Sequence, residues 1–263
     1  VKELIHFAHG NGFPSLCYLQ LLKQLEKKYN YCYIDKIGHN PLFPVTENWH
    51  LLVDEVIASV ESQATQPVIA VGHSLGGVLS LLAAIEKPSL FKAVVMIDSP
   101  LLGRIKSSMV RLAKALGIID RVTPAFRTRS RREHWQTKEQ LIDYLKTRDL
   151  FKTFTPECLQ DYIDYGLRKT EYGYILRFDR HIEYLIYRTI PHTLHEYEGQ
   201  LTVPATLIYG DKSTVVDKLD IRYMKKHYNI SSVRMSGTHM LPMEAPEQLA
   251  NQIFTVLDAI LKQ

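Results

Sequence analysis

Cysteine is scarce. The 263 residues hold only Cys17, Cys32 and Cys158, too few and too scattered for a disulfide framework, and an odd number would leave one unpaired. A reducing compartment is the expected setting. Long apolar runs are missing too: no uninterrupted stretch approaches the roughly 20 residues a membrane helix needs, and no charged and then apolar leader is visible. For the chain from Val1 onward the expectation is a soluble cytoplasmic protein with no stable membrane insertion. No internal repeat and no low-complexity tract interrupts it. There is no P-loop and no G-x-G-x-x-G after the first strand, so no nucleotide cofactor is implied. His192 and His195 have a spacing that suits two ligands on one helix face, but the glutamate of H-E-x-x-H does not accompany them. Neither a cofactor nor a metal site is expected.

What is present is ordinary for a globular chain: 46% hydrophobic and 23% charged residues, with a net charge of +4. The positive charge is concentrated in the middle. Residues 101–200 carry 18 Lys and Arg against 13 Asp and Glu, and the rest of the chain is close to balance. The run Arg127, Arg129, Arg131 and Arg132 allows three readings: a solvated surface, an attachment point for acidic substrates, or a nucleic-acid patch. A solvated surface is the ordinary fate of a charge run, and no nucleic-acid module accompanies this one, so nucleic acid is not an expected partner.

Short β-branched or aromatic runs recur, each followed by a turn signal: 4–8, 31–34, 68–71, 93–97, 205–209 and 232–235. Helix-length segments separate them, at 16–29, 49–62, 76–86, 219–227 and 246–261. That alternation predicts a mostly parallel sheet with flanking helices. The rhythm breaks between Leu101 and Glu198, where helical periodicity prevails with few strand patterns. The expected organisation is an α/β core from 1–100 and 201–263 with a helical cap, 101–200, inserted into it.

Gly72-His73-Ser74-Leu75-Gly76-Gly77 satisfies G-x-S-x-G and lies between an apolar strand and an apolar helix. A serine on such a sharp turn is lifted clear of the sheet, in backbone geometry that only small neighbours permit. The N-terminus of the following helix aims N–H groups at the same spot, where negative charge develops in acyl transfer, making Leu75 N–H the first oxyanion donor. A serine hydroxyl also needs a base, and the base an orienting acid. Asp211, in Tyr-Gly-Asp-Lys-Ser, and His239, in Ser-Gly-Thr-His-Met, both follow predicted strands, at the sheet edge where ligands bind.

These segments resemble the α/β-hydrolase superfamily over essentially the whole chain. His9-Gly10-Asn11-Gly12 is similar to the family's oxyanion loop, Asp35-Lys36-Ile37-Gly38-His39 to its Asp-x-x-Gly-His turn, and Gly237 to Pro246 to its histidine loop. The resemblance implies Asn11 N–H as the second oxyanion donor, with Gly12 as the fallback. Asp98, in Met-Ile-Asp-Ser-Pro, is the alternative to Asp211, because some hydrolases of this superfamily place the acid after that strand. Asp217 reads as a helix cap, and His9 and His73 as supports for the loops.

The implied activity is that of a cap-bearing serine hydrolase, esterase or lipase-like. It would cleave a small-molecule carboxylic ester with an apolar acyl part through an acyl-enzyme on Ser74, without a cofactor. Thioesters, lactones and carbon–carbon bonds beside a ketone suit the same triad, and a ligand-binding receptor with a weakly active site is the rival from another class. Tyrosines crowd the insertion, Tyr144, Tyr162 and Tyr187 among them, and suit a largely apolar pocket with a few polar handles.

Overall fold

A computed structural model describes residues 2–261. Six strands, β1 (Leu4–Ala8), β2 (Asn30–Tyr33), β3 (Val68–His73), β4 (Phe91–Ile97), β8 (Ala205–Gly210) and β9 (Ser231–Met235), form one sheet. Its order is β2-β1-β3-β4-β8-β9 and every pairing is parallel. The expected strands and crossovers are present, and no antiparallel strand joins this sheet among the described residues.

The apolar runs have a simple cause. Successive side chains of a strand point to opposite faces, so a parallel sheet covered by helices must be apolar on both. Ile69 and Val71 of β3 and Val95 and Ile97 of β4 enter one core, with α1 (Leu19–Leu25) and the helix Pro246–Ile260. Val68, Ala70, Val94 and Met96 enter the other, with α2 (His50–Gln63) and α3 (Leu75–Glu86).

Strand order reverses direction at β1 and β3, since the chain passes from β1 to β2 on one side and then to β3 and β4 on the other. The carboxyl ends of strands flanking such a reversal border a crevice. Here that crevice receives the Gly10–Asn11 loop and the turn at Ser74.

Between β4 and β8 the chain leaves the sheet and returns to the neighbouring strand, Val94 pairing with Ala205. The excursion holds α4 (Arg104–Ala115), several shorter helices, and an antiparallel sheet of β5 (His134–Trp135), β6 (Leu167–Thr170) and β7 (Gly173–Leu176) in the order β5-β7-β6. The small sheet was not expected. Its strands have two to four residues, too short for a period-2 pattern to stand out. Trp135, Phe151 and Tyr162 of the excursion join the core beside β1.

Two close approaches fix the β3–α3 turn. A Cβ on Gly72 would lie 2.3 Å from the Gly76 carbonyl oxygen, and one on Gly76 would lie 2.1 Å from that of Ala8. Helix α3 can therefore lie against β1 only through glycine. Gly76→Ala should cost roughly 2–4 kcal/mol, because backbone rather than a flexible side chain must yield; urea unfolding measures it.

Glu55 of α2 is buried, and its Oε2 accepts the Gly38 N–H at 2.7 Å. Burial pushes its carboxyl up to about 7, against the pull of that hydrogen bond. A carboxyl raised on folding contributes its full stability at low pH and loses it as pH rises through about 7. Glu55→Gln should therefore gain on the parent protein between pH 5 and pH 8, by on the order of 1 kcal/mol, in paired thermal melts at the two pH values.

Candidate active site

Ser74 links β3 to α3 with φ 51° and ψ −115°, a left-handed backbone rare for a side-chain-bearing residue. Its N–H donates to the Ile97 carbonyl at 2.9 Å, which ties the turn to the end of β4. Leu75 is the first residue of α3, so its N–H has no partner inside the helix and faces the turn. No backbone acceptor meets the Asn11 N–H among the described residues. The Asn11 side chain donates to the Glu183 carbonyl at 3.0 Å and so holds its loop against the helix Arg180–Arg188.

The acid beside the histidine is Asp98. His239 Nδ1 donates to Asp98 Oδ1 at 2.8 Å, because a carboxylate can only accept, so that in the neutral ring Nε2 carries the lone pair. Asp98 is fully buried at the end of β4, with φ 44°. Oδ1 also accepts the Ser213 hydroxyl at 2.6 Å, and Oδ2 the Gly210 N–H at 2.8 Å. Burial alone would push this carboxyl up, but the hydrogen bond and charge of His239, with Ser213 and Gly210, outweigh it and hold it below the usual range.

Asp211, the first choice from the sequence, does not meet His239. Its Oδ1 accepts the Gly237 N–H at 3.0 Å and its Oδ2 lies 3.5 Å from Arg234. The reason is local. The turn after β8 sends its donors, Gly210 N–H and the Ser213 hydroxyl, inward to Asp98, while the Asp211 side chain points out and fastens the histidine loop.

A chain of hydrogen bonds, buried except at its last link, joins the three loops. Gly10 N–H donates to Tyr18 Oη at 3.0 Å, Tyr18 O–H donates to His73 Nδ1 at 2.8 Å, and His73 Nε2–H donates to the His239 carbonyl at 2.9 Å. Burial keeps His73 neutral, with its pKa lowered to about 3. The His73 and His239 rings are 4.7 Å apart. His9 acts similarly: Nδ1 donates to the Gly10 carbonyl and Nε2 accepts the Ile37 N–H, each at 2.8 Å, and burial lowers its pKa to about 4. Both histidines support loops, as expected. Tyr18 carried no sequence signal, since it reads as one more apolar position in a helical stretch.

A cavity of about 830 Å³ opens in the excursion. Tyr144, Tyr162 and Tyr187 line it, as do Arg127, Arg131, Arg132 and Arg148, so it is more cationic than the tyrosines had suggested. Arg131 donates to Glu183 at 2.7 Å and to Tyr162 Oη at 2.8 Å. This pair abuts the loop of Asn11: a Cβ on Gly12 would come within 2.9 Å of the Glu183 carboxyl and 3.3 Å of Arg131. Asp217 caps the helix Lys218–Tyr228, as read. No group of three or more His, Cys, Asp or Glu that could hold a metal occurs among the described residues.

The model of the alpha/beta hydrolase family matches residues 7–252. Human monoglyceride lipase is 29% identical over 131 residues, which are 47% of this chain and 43% of that protein, so the chain spans less than half of its length. An uncharacterized hydrolase, YugF, of Bacillus subtilis (strain 168) is 26% identical over 267 aligned positions, 96% of this chain and 89% of the relative. Among solved structures, E-2-(acetamidomethylene)succinate hydrolase superposes with a TM-score of 0.78 at 19% identity, over 97% of this chain and 91% of its own. With the sheet, the turn at Ser74 and the family match over residues 7–252 agreeing, the chain belongs to the alpha/beta hydrolase family.

Proposed function

We propose that the protein is a serine hydrolase in which Ser74 attacks a carbonyl, His239 Nε2 takes the serine proton, and Asp98 holds the imidazole and stabilises its charged form. The observation that carries this reading is the 2.8 Å hydrogen bond from His239 Nδ1 to a fully buried Asp98, on the strand next to the strained serine turn. The N–H groups of Leu75 and Asn11 bind the oxyanion of the tetrahedral intermediate. The leaving group departs with the proton from His239, and water then repeats the attack on the acyl-enzyme.

The segment 101–200 acts as a cap over this edge of the sheet. Its cavity presents Trp135, Tyr144, Tyr162 and Phe151 to a substrate, surfaces suited to an apolar acyl group. A carboxylic ester is the substrate class proposed, and monoglyceride lipase is a relative whose name fits that class.

Ser74→Ala should abolish both fluorophosphonate labelling and short-chain ester hydrolysis, with kcat falling about ten-thousand-fold. A parent protein that does not label at Ser74 would instead leave the receptor reading standing. Asp98→Asn should lower kcat/KM by about a hundredfold or more, because the amide can turn its NH2 toward the ring and favour the wrong tautomer. Asp211→Asn should stay within about threefold of the parent; steady-state kinetics on one ester compares the two.

Tyr18→Phe orphans the Gly10 N–H and His73 Nδ1 together. Leaving buried polar groups unpaired should cost roughly 1–3 kcal/mol in urea unfolding, and kcat should fall as the loops that carry Asn11, Ser74 and His239 lose their common tie.

A further inference from the structure

Helix α4 turns one side to the protein and leaves the other bare. Ser107 and Ala113 are buried, Lys106 reaches Asp217 and Asp220 at 2.7 Å each, and Lys114 pairs with Glu47. Away from these, Ile105, Met109, Leu112 and Leu116 are 75%, 64%, 59% and 62% exposed. Steps of four, three and four place them in one stripe along the helix. The chain continues with Ile118, Val122 and Phe126, also exposed, so that seven of the eleven exposed large hydrophobic side chains among the described residues fall between positions 105 and 126. Single exposed apolar residues are ordinary; such a concentration marks an interaction surface.

The charge around this surface has one sign. Residues 104–132 contain nine Lys and Arg and a single acid, Asp120. Arg104, Lys106, Lys114 and Arg131 are engaged by carboxylates, and the Asp120 carboxylate accepts the Tyr184 hydroxyl. Arg111, Arg121, Arg127 and Arg129 are exposed and form no ion pair among the described residues.

We propose that α4 and the segment up to Arg129 form a peripheral docking surface for an anionic lipid bilayer. The stripe Ile105–Leu116 lies at the boundary between headgroups and acyl chains, and the free guanidinium groups engage anionic headgroups. A helix of 12 residues is about 18 Å long, suited to lying in the interface, and no helix among the described residues is long and apolar enough to cross a membrane. Charge selects the bilayer over a second copy of this chain, because two such faces brought together would oppose their unpaired arginines. Phe126 and Arg127 belong to this surface and also to the wall of the large cavity, so a docked molecule presents that cavity to the lipid phase.

The test is sedimentation of the whole chain with phosphatidylcholine vesicles, with and without about one quarter phosphatidylglycerol. Binding should occur on the anionic vesicles and weaken about tenfold between about 50 mM and about 500 mM salt. The double variant Met109→Glu, Leu112→Glu should bind about tenfold or more weakly with an unchanged Tm, since both side chains are exposed. Arg111→Glu with Arg129→Glu should abolish the preference for anionic vesicles. Absence of parent binding to anionic vesicles, or parent-like binding by the apolar double variant, would overturn the proposal. So would a dimer in gel filtration that this variant dissociates while vesicles bind nothing, which would assign the face to a second copy. None of these readouts uses hydrolysis, so docking and the serine mechanism stand or fall separately.

Discussion

The hydrogen-bond chain from Gly10 through Tyr18 and His73 to the His239 carbonyl is the constraint on which the rest of the site depends. The first two links are buried and the third partly so, and each fixes a loop that carries one element of the proposed machinery: Asn11 follows Gly10, Ser74 follows His73, and His239 is held by its own backbone. Loops have little rigidity of their own. A chain in which every donor finds an acceptor supplies it, because in a low-dielectric interior any broken link leaves a polar group without water or partner. The neutrality of His73 belongs to the same logic, since a protonated ring could not accept from Tyr18.

Asp98 adds the electrostatic half. A fully buried carboxylate is costly unless its lone pairs are met, and here His239, Ser213 and Gly210 meet them. The positive φ at Asp98 and at Ser74 stores strain at the ends of two neighbouring strands, held by Ser74 N–H to Ile97 and Asp98 N–H to Ile208. The sheet thus pays for the site with its own backbone bonds. The same strand end releases the chain into α4, so the surface proposed to meet lipid begins six residues after Asp98.

Much of this was legible in the sequence because period and turn chemistry carry it. The six main strands match apolar runs closed by turn signals, and the Ser74 turn matches glycines whose necessity is now visible as 2.1 and 2.3 Å approaches. The supporting roles of His9 and His73 were legible for the same reason. The acid was not. Asp98 and Asp211 both follow strands, and what separates them is the direction of the turn at Gly210–Ser213 and a left-handed backbone at a non-glycine residue, neither of which is written in residue type. Tyr18 was invisible because its value lies in two partners, 8 and 55 positions away. The small sheet and the arginine-lined cavity depend on how the excursion folds back on itself, where short elements leave little periodicity to read.

His239 is held by Asp98 and not by Asp211. Proton NMR at low field observes the Nδ1 proton of a histidine hydrogen-bonded to a carboxylate. A low-field resonance is expected in the parent protein, persisting in Asp211→Asn and vanishing in Asp98→Asn. Loss of the resonance in Asp211→Asn, with retention in Asp98→Asn, would contradict it.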